Sequence, residues 1–377
     1  MRREFRSLAI ALLFSSVNLS FTMRVMAQEG GEVAETATEE AQEQKRKANY
    51  LVLPVPFSDP STGFGIGALG VAFYNPNGGP HQWTTGFGGV WTSRGSKGVA
   101  GVHKMSSADD HFRLAATASW FDRNDRYYGI GANAGDRDQA LDLDVREINL
   151  KLRGVWEITE RAYLGFQYTL LVNDAVANAD SAPDVIVPPE DQLDSTMSAI
   201  GPVAVYDTRD NHDQPSKGVH VAATWMLGMK ALGDSFSHNM LTVQGNAYRA
   251  VREDTVIAGR ASFCSAGGDA AYYALCRYGS SKNLRGYPSD RYRDRASWAV
   301  QGEVRRQFSS RWGGAAFAGI GGIAPSAADL FADSNFLPAG GFGVRYRPFR
   351  KNDVRIRLDL AFGKDSNGLY LSFGEAY

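Results

Sequence analysis

From residue 49 to residue 377 apolar and polar positions alternate with a period of two. In Val354, Arg355, Ile356, Arg357, Leu358, Asp359, Leu360, Ala361 and Phe362 every even position is apolar and the odd ones are mostly charged. Residues 299–308 repeat the pattern, with Arg306 as the exception near the end. Leu164, Phe166, Tyr168, Leu170 and Val172 share one parity, as do Phe112, Leu114, Ala116, Ala118 and Trp120. Successive side chains of a strand point to opposite faces, so this period gives strands with one apolar and one polar face.

The alternation predicts sixteen strands. They fall near 49–57, 63–75, 82–93, 97–106, 111–123, 143–157, 160–173 and 195–207, then near 218–230, 236–251, 255–264, 296–308, 312–323, 338–349, 354–363 and 369–377. Most run to about 10–14 residues, longer than the ~5–6 usual in soluble sheets and long enough to cross a bilayer at a tilt. Six of the seven tryptophans (Trp83, Trp91, Trp120, Trp156, Trp298 and Trp312) lie near strand ends, where interfacial aromatic girdles form. An even strand count puts both ends of the chain on one side, the periplasm. The longest connectors, 124–142, 174–194 and 265–295, then all leave on the other side, as the long extracellular loops of bacterial barrels do. The expected fold is all-β: a 16-stranded antiparallel transmembrane β-barrel of the outer-membrane type, spanning 49–377.

The polar face carries Gln301, Glu303, Arg305, Arg345, Arg347, Arg355, Arg357 and Asp359. Lipid would exclude such charges, whereas a polar, wet lumen accommodates them, mostly as lumen filling. An Arg-rich lumen also suits a passive diffusion channel.

The N-terminus departs from the alternation. Arg2, Arg3 and Arg6 precede an apolar stretch from Leu8 to Phe14, and Val25, Met26 and Ala27 end it with small residues. That is the layout of a secretory signal over 1–27. Residues 28–48 contain Glu29, Glu32, Glu35, Glu39, Glu40 and Glu43 and no aromatic residue, so they read as an acidic disordered tether. Beyond the N-terminus no run approaches the ~18–20 apolar residues of a membrane helix. With 40 Lys and Arg against 41 Asp and Glu, the chain lacks the basic excess of a nucleic-acid binder.

Cys264 and Cys276 are the only two cysteines. Export places them in an oxidising compartment, and the intervening Ser265, Ala266, Gly267, Gly268 and Asp269 are flexible enough for the backbones to approach. A disulfide at the root of the 265–295 loop is expected.

Other motifs carry less. Gly65, Gly67 and Gly70 have dinucleotide-fingerprint spacing but lie within an alternating strand rather than a strand-turn-helix. Asp207, Asp210 and Asp213 lack the spacing and central glycine of an EF-hand. Ser235 and His238 read as turn residues rather than as a hydrolase pair, and no catalytic constellation stands out. Neither an enzyme nor a cofactor is expected.

Four segments are similar to the BamA/TamA-type outer-membrane assembly factors, the bacterial surface antigen barrels. Leu284-Arg285-Gly286-Tyr287 resembles the family's Arg-Gly-aromatic motif at the tip of a long loop, and the strand pattern puts it in such a loop. Tyr206 to Asn211 with Pro215 to Gly218 resembles the family's central hairpin. Gly343 to Arg347 and Arg357 to Gly363 look like its penultimate strands, and Gly368 to Tyr377 like its aromatic C-terminal strand. The resemblance implies that Arg285 folds back into the lumen and pairs with acids on two neighbouring strands. Glu303 matches the first acid; Gly319 stands where the family usually has the second, an aspartate, which leaves one expected partner. Family members also carry polypeptide-transport-associated domains before the barrel, and the 21 residues of 28–48 cannot hold one. The resemblance implies the outer membrane of a Gram-negative bacterium, a role in insertion or translocation of proteins or lipids there, and contacts with outer-membrane lipid, lipopolysaccharide and other outer-membrane or periplasmic proteins.

Overall fold

The computed structural model describes residues 49–377 apart from 60–62, 80–82, 138, 212–213, 280–282, 289–290, 332–334 and 348–354. The expected signal and acidic tether lie outside the described residues. In chain order the strands are β1 (Asn49–Asp59), β2 (Gly63–Tyr74), β3 (Trp83–Thr92), β4 (Lys97–Ser106), β5 (Phe112–Tyr127), β6 (Leu141–Thr159), β7 (Ala162–Asn178), β8 (Asp194–Asp207) and β9 (Lys217–Gly228). There follow β10 (His238–Arg252), β11 (Thr255–Gly268), β12 (Cys276–Tyr278), β13 (Tyr292–Asp294), β14 (Ala296–Gln307), β15 (Trp312–Ala324), β16 (Ala339–Tyr346), β17 (Ile356–Gly363) and β18 (Ser366–Phe373).

The short β12 and β13 pair only with each other, inside the connector between β11 and β14. The other sixteen form one antiparallel sheet in which each strand pairs with its neighbour in the chain. Its edge strands, β1 and β18, approach one another, with no hydrogen-bonded ladder between them among the described residues.

The two faces of this sheet invert the rule for soluble proteins. Along β14 the side chains of Ala299, Gln301, Glu303 and Arg305 are buried, while Val300 and Val304 are exposed. Along β17 Arg357 and Asp359 are buried and Leu358 and Phe362 exposed. Apolar residues thus cover the outside and charges fill the inside, an arrangement suited to a surface that meets lipid.

Several strand limits differ from those the alternation predicts. β6 and β7 run to 19 and 17 residues, against the expected 143–157 and 160–173. At about 3.4 Å per residue, β6 spans roughly 60 Å, well beyond what a bilayer requires. Its surplus end is held by packing: Leu141, Leu143 and Val145 are buried with Tyr127, Leu171, Tyr272 and Tyr273. β16 ends at Tyr346, short of the expected 349. The last strand is Ser366–Phe373 rather than 369–377. Gly374 takes a left-handed φ of 74°, and the chain then turns inward, burying Glu375 and Tyr377.

Candidate functional site

The connector between β11 and β14 runs along the inside of the sheet. Its root is covalently closed: Cys264 near the end of β11 and Cys276 at the start of β12 are disulfide-bonded, with Cα atoms 5.7 Å apart. Its tip carries Leu284, Arg285, Gly286 and Tyr287, and each has a distinct contact. Arg285, 1% exposed, donates to Asp359 Oδ2 at 2.5 Å through Nη1 and to Glu303 Oε2 through Nη2. Its guanidinium also lies 3.5 Å from the centre of the Phe317 ring, so one face of the plane is covered by an aromatic and two edges by carboxylates.

Gly286 has a φ of 118°, open only to glycine, and a Cβ there would sit about 3 Å from the backbone of Phe362 and Gly363. Its N–H donates to Tyr370 Oη at 3.1 Å, and Ser366 Oγ donates to its carbonyl at 2.5 Å. Tyr287 Oη donates to the Pro338 carbonyl at 2.6 Å and accepts from the Lys364 N–H at 2.9 Å. Leu284 is 1% exposed and lies against Gly319, where a Cβ would come within 2.5 Å of the Leu284 Cδ1. A four-residue tip therefore touches β14, β15, β17 and the edge strand β18.

The loop's tyrosines seat it. Tyr278, Tyr287 and Tyr292 form a mutually tilted cluster, with centroids 5.6–6.5 Å apart, packed with Leu337 and Ile323. Burial pushes the phenols of Tyr278, Tyr287 and Tyr292 up from their ordinary value, and that of Tyr273 to about 12, so all stay neutral hydrogen-bonding groups. Tyr292 Oη donates to Asp136 Oδ1 at 2.8 Å, and Lys364 Nζ pairs with Asp136 Oδ2 at 3.0 Å, which ties in the β5–β6 connector. Arg291 Nε donates to the Gly135 carbonyl at 3.0 Å, and Gly131 N–H to the Arg293 carbonyl at 2.9 Å.

The expectation of a single acid for Arg285 is corrected. Gly319 is no acid, yet a second carboxylate arrives from β17 as Asp359, 74 residues away in the chain. Gly319 itself is occupied as a groove for Leu284, which leaves no room there for a side chain. Around the loop tip the interior is packed rather than wet. Glu303 is 1% exposed and Asp359 0%, so the charges around the loop arginine are packed against one another rather than bathed in water.

The remaining lumen charges divide. Arg305 Nε donates to Glu303 Oε1 at 2.6 Å and Arg345 Nη1 to Asp359 Oδ1 at 2.5 Å; Arg357 Nε lies 3.4 Å from Asp359 Oδ2. Glu375, from the inward turn after β18, accepts from Arg345 and Arg355 at 3.0 Å each. Arg347 follows β16, and its N–H donates to the Arg311 carbonyl at 2.8 Å. Ser235 and His238 are not brought into a catalytic pair: Asp234 lies 3.5 Å from His238, and Ser235 hydrogen-bonds the backbone of Thr196. No group of three or more metal-ligating side chains is found among the described residues.

Reasoning from the pattern missed Asp359 as an anchor, Glu375 as a lumenal acid, and the tyrosine cluster. The one signal for the last was the density of tyrosines between 272 and 292. The alternation puts Asp359 on the inward face without marking it as the anchor of Arg285, and nothing in the local pattern marks Glu375.

A family model described as the Omp85 superfamily domain matches residues 89–369. No curated protein matches the chain by sequence. Among solved structures, BamA from Haemophilus ducreyi lacking POTRA domains 1–3 is similar at 12% identity with a TM-score of 0.53, over 87% of this chain and 69% of that one. CdiB from Escherichia coli is similar at 12% identity with a TM-score of 0.58, over 87% of this chain and 62% of that one. CdiB from Acinetobacter baumannii is similar at 9% identity with a TM-score of 0.58, over 87% of this chain and 59% of that one. At these identities the likeness is one of fold.

Proposed function

Because the chain belongs to the Omp85 superfamily, we propose that its sixteen-stranded sheet closes edge to edge into an outer-membrane barrel that inserts or translocates proteins or lipids. In this reading residues 49–377 are the barrel, 1–27 the export signal and 28–48 an acidic tether on the periplasmic side. The exposed apolar face is the lipid-facing belt. Lipid, lipopolysaccharide and other outer-membrane or periplasmic proteins are the partners, and no catalysis is involved.

The observation that carries the reading is the loop tip, with Arg285 held between Glu303 and Asp359. A loop that grips β14 to β18 from inside keeps the β18 edge in one position. The β1–β18 seam, which lacks a ladder, is then the weakest line of the barrel. Exposed strand edges are templates for pairing with another strand, so this seam is where a client strand adds.

The test is reconstitution of the purified chain in vesicles of outer-membrane phospholipid, followed by the folding rate of an unfolded barrel client. The wild-type chain speeds folding and R285A speeds it less. A passive channel is the competing outcome: no effect on client folding, with a steady conductance in planar bilayers that is indifferent to removal of 269–295. That pair of results overturns the proposal.

A further inference from the structure

The interior charges around the loop tip do not balance. Among the described residues Arg285, Arg305, Arg345, Arg355 and Arg357 share Glu303, Asp359 and Glu375. The main-chain oxygen of Tyr377 accepts from Arg305 at 2.9 Å and adds at most one further negative charge. Five cations against three side-chain carboxylates thus leave an excess of at least one positive charge among the described residues.

The excess is concentrated around Asp359. Arg285 and Arg345 each donate to it at 2.5 Å and Arg357 lies 3.4 Å away, so three guanidinium groups converge on one carboxylate. Arg345 and Arg357 are directly opposite one another in the β16–β17 ladder, a like-charge pairing that opposes folding unless something neutralises it. Nor are their donors used up. Arg357 Nη1 and Arg285 Nε are buried and make no hydrogen bond, while Arg357 Nε, 3.4 Å from Asp359 Oδ2, and Arg345 Nη2, 3.7 Å from Glu303 Oε1, have only ion-pair contacts without hydrogen-bond geometry. Buried, charged N–H groups without an acceptor are costly, and guanidinium edges suit oxyanions that accept through two oxygens.

The geometry points to a phosphate-class anion held by Arg345 and Arg357 on the inner face of β16 and β17, beside the Arg285 lock. A carboxylate carries one negative charge, whereas a phosphate group near neutral pH carries between one and two and offers three acceptor oxygens, which suits both the excess and the donors left without a hydrogen bond. The source is a free phosphate or the phosphorylated headgroup of an outer-membrane lipid; the chemistry is shared.

The full chain in zwitterionic detergent is melted with increasing inorganic phosphate against chloride at equal ionic strength. The wild-type Tm rises saturably with phosphate and not with chloride. R357Q relieves the like-charge pairing with Arg345, so in chloride it melts no lower than wild type, and it shows no phosphate response. The surface variant R306Q keeps the full response. A phosphate-dependent rise of equal size in R357Q, or a wild-type rise reproduced by chloride, overturns the site. Should R357Q fail to fold, phosphorus-31 line broadening of inorganic phosphate by the wild-type chain replaces it, and unbroadened phosphate that no phosphorylated lipid alters overturns the site. Parallel melts with diphosphorylated and dephosphorylated lipid A separate the sources. A rise with inorganic phosphate assigns a free anion, a rise only with the diphosphorylated lipid assigns a headgroup, and no rise with either overturns the proposal.

Discussion

Replacing Asp359 with asparagine should be more damaging than replacing Arg285 with methionine, although the two are partners in one ion pair. Asp359 accepts from Arg285 and Arg345 at 2.5 Å and neighbours Arg357. Its side chain is completely buried. D359N removes the charge that all three share and leaves buried cations facing one another, and breaking a buried pair in this way costs about 3–5 kcal/mol. R285M is different. Glu303 keeps Arg305 at 2.6 Å and Asp359 keeps Arg345, so neither acid is stranded. Methionine can still lie on the Phe317 ring. The loss is two charge-assisted hydrogen bonds, offset by relief of the cation excess, a net of about 2 kcal/mol. Urea unfolding of both variants in detergent, followed by tryptophan emission and by heat-modifiable gel mobility, measures the difference. Limited proteolysis of the 269–295 loop should rise in both. If R285M is the more destabilised of the two, carboxylates are not the scarce component of this network and the reasoning fails.

Three further outcomes are expected. Reduction of the Cys264–Cys276 disulfide, or C264S with C276S, should lower stability by ~3 kcal/mol in the chain-entropy model for a loop of this size; non-reduced mass spectrometry and unfolding with and without reductant check it. Although burial acts to raise it, the Asp136 carboxyl is held below its ordinary value by Lys364 and Tyr292. Its contribution is therefore present above the unfolded-state pKa and lost as pH falls through the folded one, so the stability gap between wild type and D136N should close on acidification from pH 6 to below the usual carboxylate range. G319A should destabilise by about 1–3 kcal/mol, since its Cβ would meet the Val300 carbonyl at 2.4 Å and Leu284 at 2.5 Å, and G319D by more; an aspartate tolerated at 319 would show that the loop tip does not occupy that groove.

That the chain is all-β and antiparallel was legible in the alternation alone, because the period of two is a property of neighbouring residues and needs no knowledge of the partner strand. The inward parity of Glu303, Arg305, Arg357 and Asp359 was legible for the same reason. The ends of the strands were less so. At their connector ends, β6 and β7 are extended by contacts of Leu141 and Leu143 with tyrosines of a loop about 130 residues downstream, and the alternation carries no trace of that packing.

The sequence by itself determined which residues face inward, where the long connector falls, and that Arg285 sits at its tip next to a glycine free to adopt a positive φ. Only the tertiary structure decided which acids receive that arginine. β14 and β17 are three strands apart, roughly 14 Å along the sheet at the usual spacing, and Glu303 and Asp359 meet Arg285 only because the sheet curves round a loop that enters it. Periodicity records the face of a strand. The curvature that brings two distant strands to one guanidinium, and the accumulation of more arginines than acids at that point, is a property of the closed-in space and of no local segment.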